Sequence, residues 1–131
     1  MNRSMRLTFV LSGLAFTACG ALPGGGSADA GNCPAITDSK ATMCSMAGAS
    51  RKAKFTNNCD SDIEIFWVDT ACAEKTYTTI KPGKTWEISS FVSHPWRARK
   101  AVKTDGGMLG DLVKEFGAVT AGTGDQEFVV P

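Results

Sequence analysis

The sequence predicts an all-β domain, a small sandwich or barrel, over residues 51–131. From about residue 51 onward, short segments rich in β-branched and aromatic residues follow one another at fairly regular spacing. Residues that favour turns separate these segments, in the strings NNCDSD, DTACAE, KPGK, TDGG and AGTGD. Several short strands divided by turns in this way are typical of all-β architectures.

The predicted strands are AKFTNN, DIEIFWVD, KTYTTI, KTWEISSF, HPWRARKAV and QEFVV. The string MLGDLVKEFG is long enough for a short helix, but glycines bound it on both sides, and we predict a strand there as well. A domain of roughly 80 residues is only marginally stable through burial of its core. Disulfides would therefore have a clear physical purpose in this chain.

The first residues predict an export signal and not a part of the fold. MNRSMR carries two arginines, and the uncharged LTFVLSGLAFTA that follows is too short to span a bilayer as a mature helix. The small pair Thr17 and Ala18 directly before Cys19 resembles the lipobox of bacterial lipoproteins. That resemblance implies a signal peptide over residues 1–18, a lipid on Cys19 and a membrane-anchored location in the bacterial cell envelope. Ordinary cleavage nearby is the alternative, and Phe16 fits neither pattern well.

Charge argues against a nucleic-acid partner. Removal of the signal peptide takes away Arg3 and Arg6, so that the 14 basic residues fall to 12, against 13 acidic ones. A nearly neutral chain without a long basic run lacks the charge pattern that binds phosphate backbones. The short basic pieces RKAK and RARK are predicted to be solvated strand ends.

The remaining cysteines predict two disulfides, because an even number in an exported chain favours pairing. Three pairings are possible among Cys33, Cys44, Cys59 and Cys72. A zinc site is disfavoured because no C-x-x-C pair or nearby histidine is present, and no other metal or cofactor is expected. The segment GALPGGGSADAGN predicts a flexible tether, so residues 19–50 form a lipidated cysteine, a tether and a cysteine-containing extension.

One short segment, SSFVSHPW, contains the single histidine of the chain. Side chains alternate along a strand, so His94 and Trp96 are expected to point the same way. If residues 91–93 form a hairpin loop, Ser90 lies opposite His94 and Ile88 lies opposite Trp96. The serine hydroxyl and the imidazole would then be neighbours.

The Pro-Gly turn in KPGK extends this arrangement. Pairing of Lys81 with Lys84 across that turn would place Tyr77 opposite Ile88, although type II turns splay the strands that they join. One face of one sheet would then gather five side chains, Trp67, Tyr77, Ser90, His94 and Trp96.

Two interpretations of this face are open. Aromatic residues on alternating strands usually form core, and in that case the serine and histidine are buried and satisfied locally. The alternative is an aromatic-walled cleft that packs a small apolar ring and hydrogen-bonds a hydroxyl group on it.

The same residues resemble the β-domain family of the von Hippel–Lindau tumour suppressor. The likeness runs from FTNNCDSDIEIFWVD through YTTIKPGKTWEISSFVSHPW, and it covers about residues 52–131. It includes the tryptophan, the tyrosine ten residues on, the Pro-Gly turn, and the serine, histidine and tryptophan in the same spacing. The resemblance implies a seven-stranded sandwich that binds hydroxyproline in an extended peptide. It assigns Trp67 and Trp96 to the pocket walls, Tyr77 to its flank, and Ser90 and His94 to the hydroxyl.

Departures from that family limit what carries over. The tumour suppressor continues into a helical domain that joins a ubiquitin ligase, and this sequence ends at Pro131, so no ligase partner is expected. Pro95 removes a backbone donor beside the pocket. The predicted function is therefore a lipid-anchored module that binds a proline- or hydroxyproline-containing peptide. The alternative is a structural or interaction lipoprotein of the cell envelope with no small pocket.

An enzyme is not expected. Ser90 beside His94 superficially suggests a nucleophile and a base, with Asp69 or Glu87 as a third member. However, Glu87 alternates onto the opposite strand face, and the sequence has no nucleophile-elbow pattern and no candidate for an oxyanion hole.

Overall fold

A computed structural model describes residues 32–102 and 108–131, and it contains seven strands in those ranges. The strands are β1 (Ser50–Asn57), β2 (Ile63–Val68), β3 (Glu74–Ile80), β4 (Thr85–Phe91), β5 (Pro95–Lys100), β6 (Leu112–Ala118) and β7 (Gln126–Val130). The prediction of a seven-stranded all-β sandwich is confirmed, and so is the strand within MLGDLVKEFG. The predicted signal peptide and Cys19 lie outside the described residues.

The strands form two sheets. One has the order β4-β1-β7 and the other has the order β3-β2-β5-β6. All neighbours are antiparallel except β1 and β7, which run parallel. The chain therefore changes sheet between β3 and β4 and again between β4 and β5. In these strand orders, β3 and β4 each lie at the edge of a sheet.

The core lies between the two sheets and is centred on Phe55 of β1. Its ring contacts Trp86, Trp96, Phe116 and Phe128, with centroid separations of 5.7, 5.2, 5.5 and 5.0 Å. Both sheets contribute to this cluster, because every second residue of a strand points inward. The aromatic side chains therefore hold the two sheets together.

The predicted hairpin at residues 91–93 is wrong. β4 hydrogen-bonds to β1 and β5 hydrogen-bonds to β2, so Ser90 and His94 are not cross-strand partners. The segment instead carries the chain from one sheet to the other through a tight turn. The His94 N–H donates to the Phe91 carbonyl at 3.1 Å, and Ser93 has a φ of 73°. Strands that leave such a turn in different sheets pack face to face, and not side by side.

The Pro-Gly turn forms as predicted, but it also joins different sheets. The Lys84 N–H donates to the Lys81 carbonyl at 3.0 Å, and Gly83 has the positive φ of 71° that a type II turn requires. Because type II turns splay the strands that they join, β3 and β4 do not pair. The predicted placement of Tyr77 opposite Ile88 is therefore wrong.

Two disulfides fasten residues 33–49 to the sandwich, as an even cysteine count predicted. They join Cys33 to Cys59 and Cys44 to Cys72, with Cα separations of 5.4 and 4.5 Å. Between them, the Ile36 N–H donates to a carbonyl of β6 at 2.8 Å. Two structural disulfides indicate that the protein is exported.

The prediction that RARK is a solvated strand end is wrong. The side chains of Arg97 and Arg99 are 1% and 2% exposed on the outer face of their sheet. Glu74 accepts hydrogen bonds from both guanidinium groups at 2.7–2.8 Å, and Asp38 from the extension binds Arg99 through both carboxylate oxygens. Burial raises the pKa of Glu74, but the hydrogen bonds from the two arginines outweigh it and leave the pKa lowered. The extension and this ion cluster cover the outer face together.

Candidate functional site

Four of the predicted side chains form one aromatic cluster at an end of the sandwich. Tyr77 packs edge-on against Trp96 at a centroid distance of 5.1 Å and against Trp67 at 6.3 Å. The imidazole of His94 lies 5.3 Å from Trp67, with the planes inclined by 30°. Together with Ser90, these residues are called the aromatic site below.

The two tryptophans come from neighbouring strands of the larger sheet. Trp67 is the Cα partner of Trp96 across the β2–β5 pair, and it follows Ile63 and Ile65 on the inner face by strand alternation. Side chains of directly opposed residues lie close enough to contact each other. The tryptophans are therefore held side by side by sheet register alone.

Tyr77 reaches the cluster because of a β-bulge. Ile65 pairs with Thr78 and Phe66 pairs with Thr76, so Tyr77 is the extra residue of β3. A bulge of this kind redirects a side chain and bends the strand. It explains how the tyrosine ring contacts Trp96, which belongs to a strand that β3 does not touch through hydrogen bonds.

Ser90 joins the two sheets at the bottom of the cluster. Its Oγ accepts a hydrogen bond from the indole Nε1–H of Trp96 at 3.1 Å, and both side chains are buried, at 2% exposure. A serine hydroxyl has one donor and two acceptor positions. Within residues 32–102 and 108–131 its proton has no acceptor, so the donor position of the hydroxyl is unused.

The His94 imidazole is partly exposed, and its main chain is fixed. Its N–H and carbonyl are both bonded, to the Phe91 carbonyl and to the Val119 N–H at 3.1 and 3.0 Å. Burial lowers the pKa of the imidazole, so the ring is neutral at pH 7. A neutral imidazole has one donor and one acceptor nitrogen, and neither has a partner among the described side chains and main-chain atoms.

Exposure increases from the floor of the site to its rim. Ser90 and Trp96 are buried, Trp67 and His94 are partly exposed, and Tyr77 is 47% exposed. The floor therefore belongs to the core, whereas the rim is accessible to a partner. Neither a fully sealed cluster nor a fully open cleft describes this arrangement.

Sequence reasoning missed two aromatic neighbours of the site. Trp86 of β4 contacts Tyr77 and Trp96, each at a centroid distance of 6.2 Å. Alternation along β4, which places residues 86, 88 and 90 on one face, was sufficient to find it. Phe91 is exposed and lies 5.1 Å from His94, but its position at the end of a strand gave no such signal.

A separate apolar cavity of about 620 Å³ lies on the other flank of the 91–95 turn. It is lined by residues of the extension, the turn and the loop after β6, among them Met43, Met46, Val92, Pro95, Val119 and Ala121. None of the five predicted site residues lines it.

Comparison with known families decides what kind of domain this is. The family model described as VHL beta domain matches residues 43–116, which is more than half of the 131 residues. The chain belongs to the VHL β-domain family. The VHL β domain is a protein-binding module, and the matched range contains all five residues of the aromatic site.

Two further observations concern membrane-spanning helices and metal-binding groups in this VHL β domain. In the described part of the chain, no helix is long and apolar enough to cross a membrane. Over the same residues, no group of three or more His, Cys, Asp or Glu side chains lies close enough together to hold a metal ion.

Proposed function

We propose that this protein is a lipid-anchored peptide-binding module that holds an extended segment containing proline or hydroxyproline in its aromatic site. Cys19 carries the lipid in this proposal, and the membrane of the cell envelope is the second partner. One observation carries the proposal. Two hydrogen-bonding groups with free capacity, Ser90 and His94, flank one tight turn at the end of an aromatic cluster.

The hydrogen-bonding capacities of these two groups match a hydroxyl group. A hydroxyl both accepts and donates a hydrogen bond. The Ser90 O–H donates a hydrogen bond to the ligand oxygen, and the neutral imidazole of His94 accepts a hydrogen bond from the ligand hydroxyl. The hydrogen bond from Trp96 occupies one acceptor position of Ser90 and leaves its proton available to donate.

The rings that surround this pair suit the rest of a prolyl residue. A pyrrolidine ring is small, apolar and flat enough to pack on the faces and edges of indole and phenol rings. Trp67 and Tyr77 offer exposed ring surface at the rim, while Trp96 forms the floor.

The sheet next to the site supports an extended ligand. β4 lies at the edge of its sheet, where it hydrogen-bonds only to β1 among the described strands. An edge strand presents free main-chain donors and acceptors to an added strand. Since β4 ends at Phe91, a peptide along this edge passes directly beside the turn that carries His94.

No catalytic step belongs to this proposal. Asp69, which the sequence offered as a third catalytic group, instead accepts hydrogen bonds from the main-chain N–H groups of Ala71 and Ala73 at 2.8 and 2.9 Å. The bond from Ala73, opposed by burial and aided by the bond from Ala71, lowers the pKa of this carboxyl group. Its role is to stabilise the turn between β2 and β3.

Calorimetric titration with a synthetic nonapeptide tests the proposal. The peptide carries central 4-hydroxyproline flanked by alanines, and a prolyl version is the comparison. One net hydrogen bond corresponds to up to about tenfold in affinity, so we expect the hydroxyprolyl peptide to bind about tenfold more tightly. Ser90→Ala should reduce this difference, because only the hydrogen bond to His94 remains, whereas Ser89→Ala, on the exposed face of the same strand, should preserve it. Equal affinities for both peptides would contradict hydroxyl recognition.

A second function is favoured by the burial of Ser90 and Trp96. If their mutual hydrogen bond closes the floor permanently, the domain is a structural or interaction lipoprotein of the cell envelope with no small pocket. In that case, the folded protein binds neither nonapeptide at millimolar concentration.

A further inference from the structure

A serine outside the sandwich contacts the aromatic site. The Trp67 indole Nε1–H donates to the Oγ of Ser45 at 2.6 Å, and the Ser45 hydroxyl in turn donates to the Val68 carbonyl. The Ser45 N–H also donates to the Asp69 carbonyl at 3.1 Å. Ser45 is 4% exposed and thus makes hydrogen bonds with three consecutive residues at the end of β2.

A disulfide fixes the position of this serine. Cys44 is bonded to Cys72 of the turn between β2 and β3, and the Cys72 N–H donates to the same Asp69 carbonyl that accepts from Ser45. The chain on either side of Ser45 is largely exposed. The covalent bond at the preceding residue therefore keeps the hydroxyl in place beside the indole.

The position of the indole matters for the histidine. Trp67 is only partly buried, so a ring without its acceptor has room to turn and to expose its N–H to water. The same ring lies against the imidazole of His94, with centroids 5.3 Å apart. A change in the direction of the indole therefore changes how far water reaches the imidazole.

We propose that Ser45, held by the Cys44–Cys72 disulfide, is a positioning residue of the aromatic site that fixes the Trp67 indole against His94. The inference rests on the proposed function, because it makes the extension part of the machinery that holds the peptide. Ser45 itself does not touch the ligand. Its effect reaches the ligand through Trp67 and His94.

Nuclear magnetic resonance of the full chain with both disulfides formed tests this role without any peptide. His94 is the only histidine, so its ring signals are unambiguous. Ser45→Ala should raise the pKa of His94 towards the ordinary value, because water gains access to the imidazole. It should also shift the indole Nε1–H signal of Trp67. Ser39→Ala makes the same chemical change at an exposed position of the same extension and should alter neither signal.

Binding of the hydroxyprolyl nonapeptide gives a second readout. Loss of one positioning hydrogen bond should weaken binding by about three- to tenfold in Ser45→Ala and leave Ser39→Ala unchanged. The His94 titration decides the positioning role even if the wild-type protein does not bind the peptide, so failure of the proposed function and failure of this inference are distinguishable.

The disulfides provide an independent pair of variants. Cys44→Ser with Cys72→Ser should reproduce the effect of Ser45→Ala on the pKa of His94. Cys33→Ser with Cys59→Ser removes a loop closure of similar length, 26 against 28 residues, and should leave that pKa unchanged in the folded protein. The inference is overturned if Ser45→Ala leaves the pKa of His94 at its wild-type value, even where the Trp67 indole signal shifts through loss of its acceptor.

Discussion

The imidazole of His94 lies against the indole of Trp67, with centroids 5.3 Å apart and planes inclined by 30°. This contact joins the turn between β4 and β5 to the end of β2. Burial in this position lowers the pKa of the imidazole, so the ring is neutral at pH 7. A neutral ring can accept a hydrogen bond from a ligand hydroxyl, and a charged ring, which has two donors and no acceptor, cannot.

Acidification should therefore weaken hydroxyl recognition. We expect the affinity for the hydroxyprolyl nonapeptide to be constant above the pKa of His94 and to fall below it, by at most about tenfold per pH unit, as expected for one linked proton. The affinity for the prolyl nonapeptide should change much less, because it offers no proton to the ring. Calorimetry at a series of pH values measures both profiles. Parallel profiles for the two peptides would show that His94 does not contact the hydroxyl.

The same group predicts how stability depends on pH. The pKa of His94 is lower in the folded protein than in the unfolded chain, so the unfolded chain takes up the proton first as the pH falls. Wild-type protein should lose stability as the pH falls from about 6.5, the ordinary value, through the folded pKa. Denaturant unfolding of His94→Gln should show a flatter free energy of unfolding over this interval. An unchanged slope would place the proton uptake elsewhere.

Trp96 and Tyr77 should respond differently to truncation. Trp96 packs in the core and bonds Ser90, so Trp96→Ala should lower the free energy of unfolding by about 3–5 kcal/mol. Tyr77 is 47% exposed, so Tyr77→Ala should cost about 1 kcal/mol and still weaken peptide binding. Thermal and denaturant melts measure the stability losses of both variants, and calorimetry measures peptide binding by Tyr77→Ala. A large loss of stability in Tyr77→Ala would indicate that the rim is core.

Glu74 should be more sensitive to substitution than its neighbour Glu115. It accepts hydrogen bonds from two buried guanidinium groups, so Glu74→Gln weakens both contacts at once and should cost about 2–3 kcal/mol of stability, although Arg97 keeps Glu115 and Arg99 keeps Asp38. Glu115 bonds only Arg97 and is 39% exposed, so Glu115→Gln should cost about 1 kcal/mol or less. Denaturant unfolding of the two variants gives the comparison. Similar losses of unfolding free energy in both variants would mean that water hydrogen-bonds the buried guanidinium groups in place of Glu74.

The strand pattern and the turn residues were sufficient to predict the sandwich. They also predicted that Trp67 and Tyr77 lie on consecutive strands of one sheet, but the β-bulge that directs the Tyr77 ring into the cluster was not predicted. The arrangement of Ser90, His94 and Trp96 was predicted incorrectly. Local geometry favoured a hairpin, and nothing in residues 91–93 reveals that the chain changes sheet there.

Long-range contacts account for the rest. The bond between Ser90 and Trp96 crosses between the sheets, and alternation within one strand cannot reveal it. The buried guanidinium group of Arg99 bonds Asp38, which lies 61 residues earlier, and the acceptor for Trp67 is Ser45. Such partners are fixed only once the disulfides hold the extension in place.

The ring signals of His94 test the central claim most directly, because this is the only histidine of the chain. Titration of the wild-type protein with the hydroxyprolyl nonapeptide should shift the ring nitrogen signals and lower the pKa of His94 further, since the donated hydrogen bond stabilises the neutral ring. The prolyl nonapeptide should leave that pKa near its value in the free protein. If the hydroxyprolyl peptide binds and the pKa of His94 does not change, the imidazole does not recognise the hydroxyl and the account is contradicted.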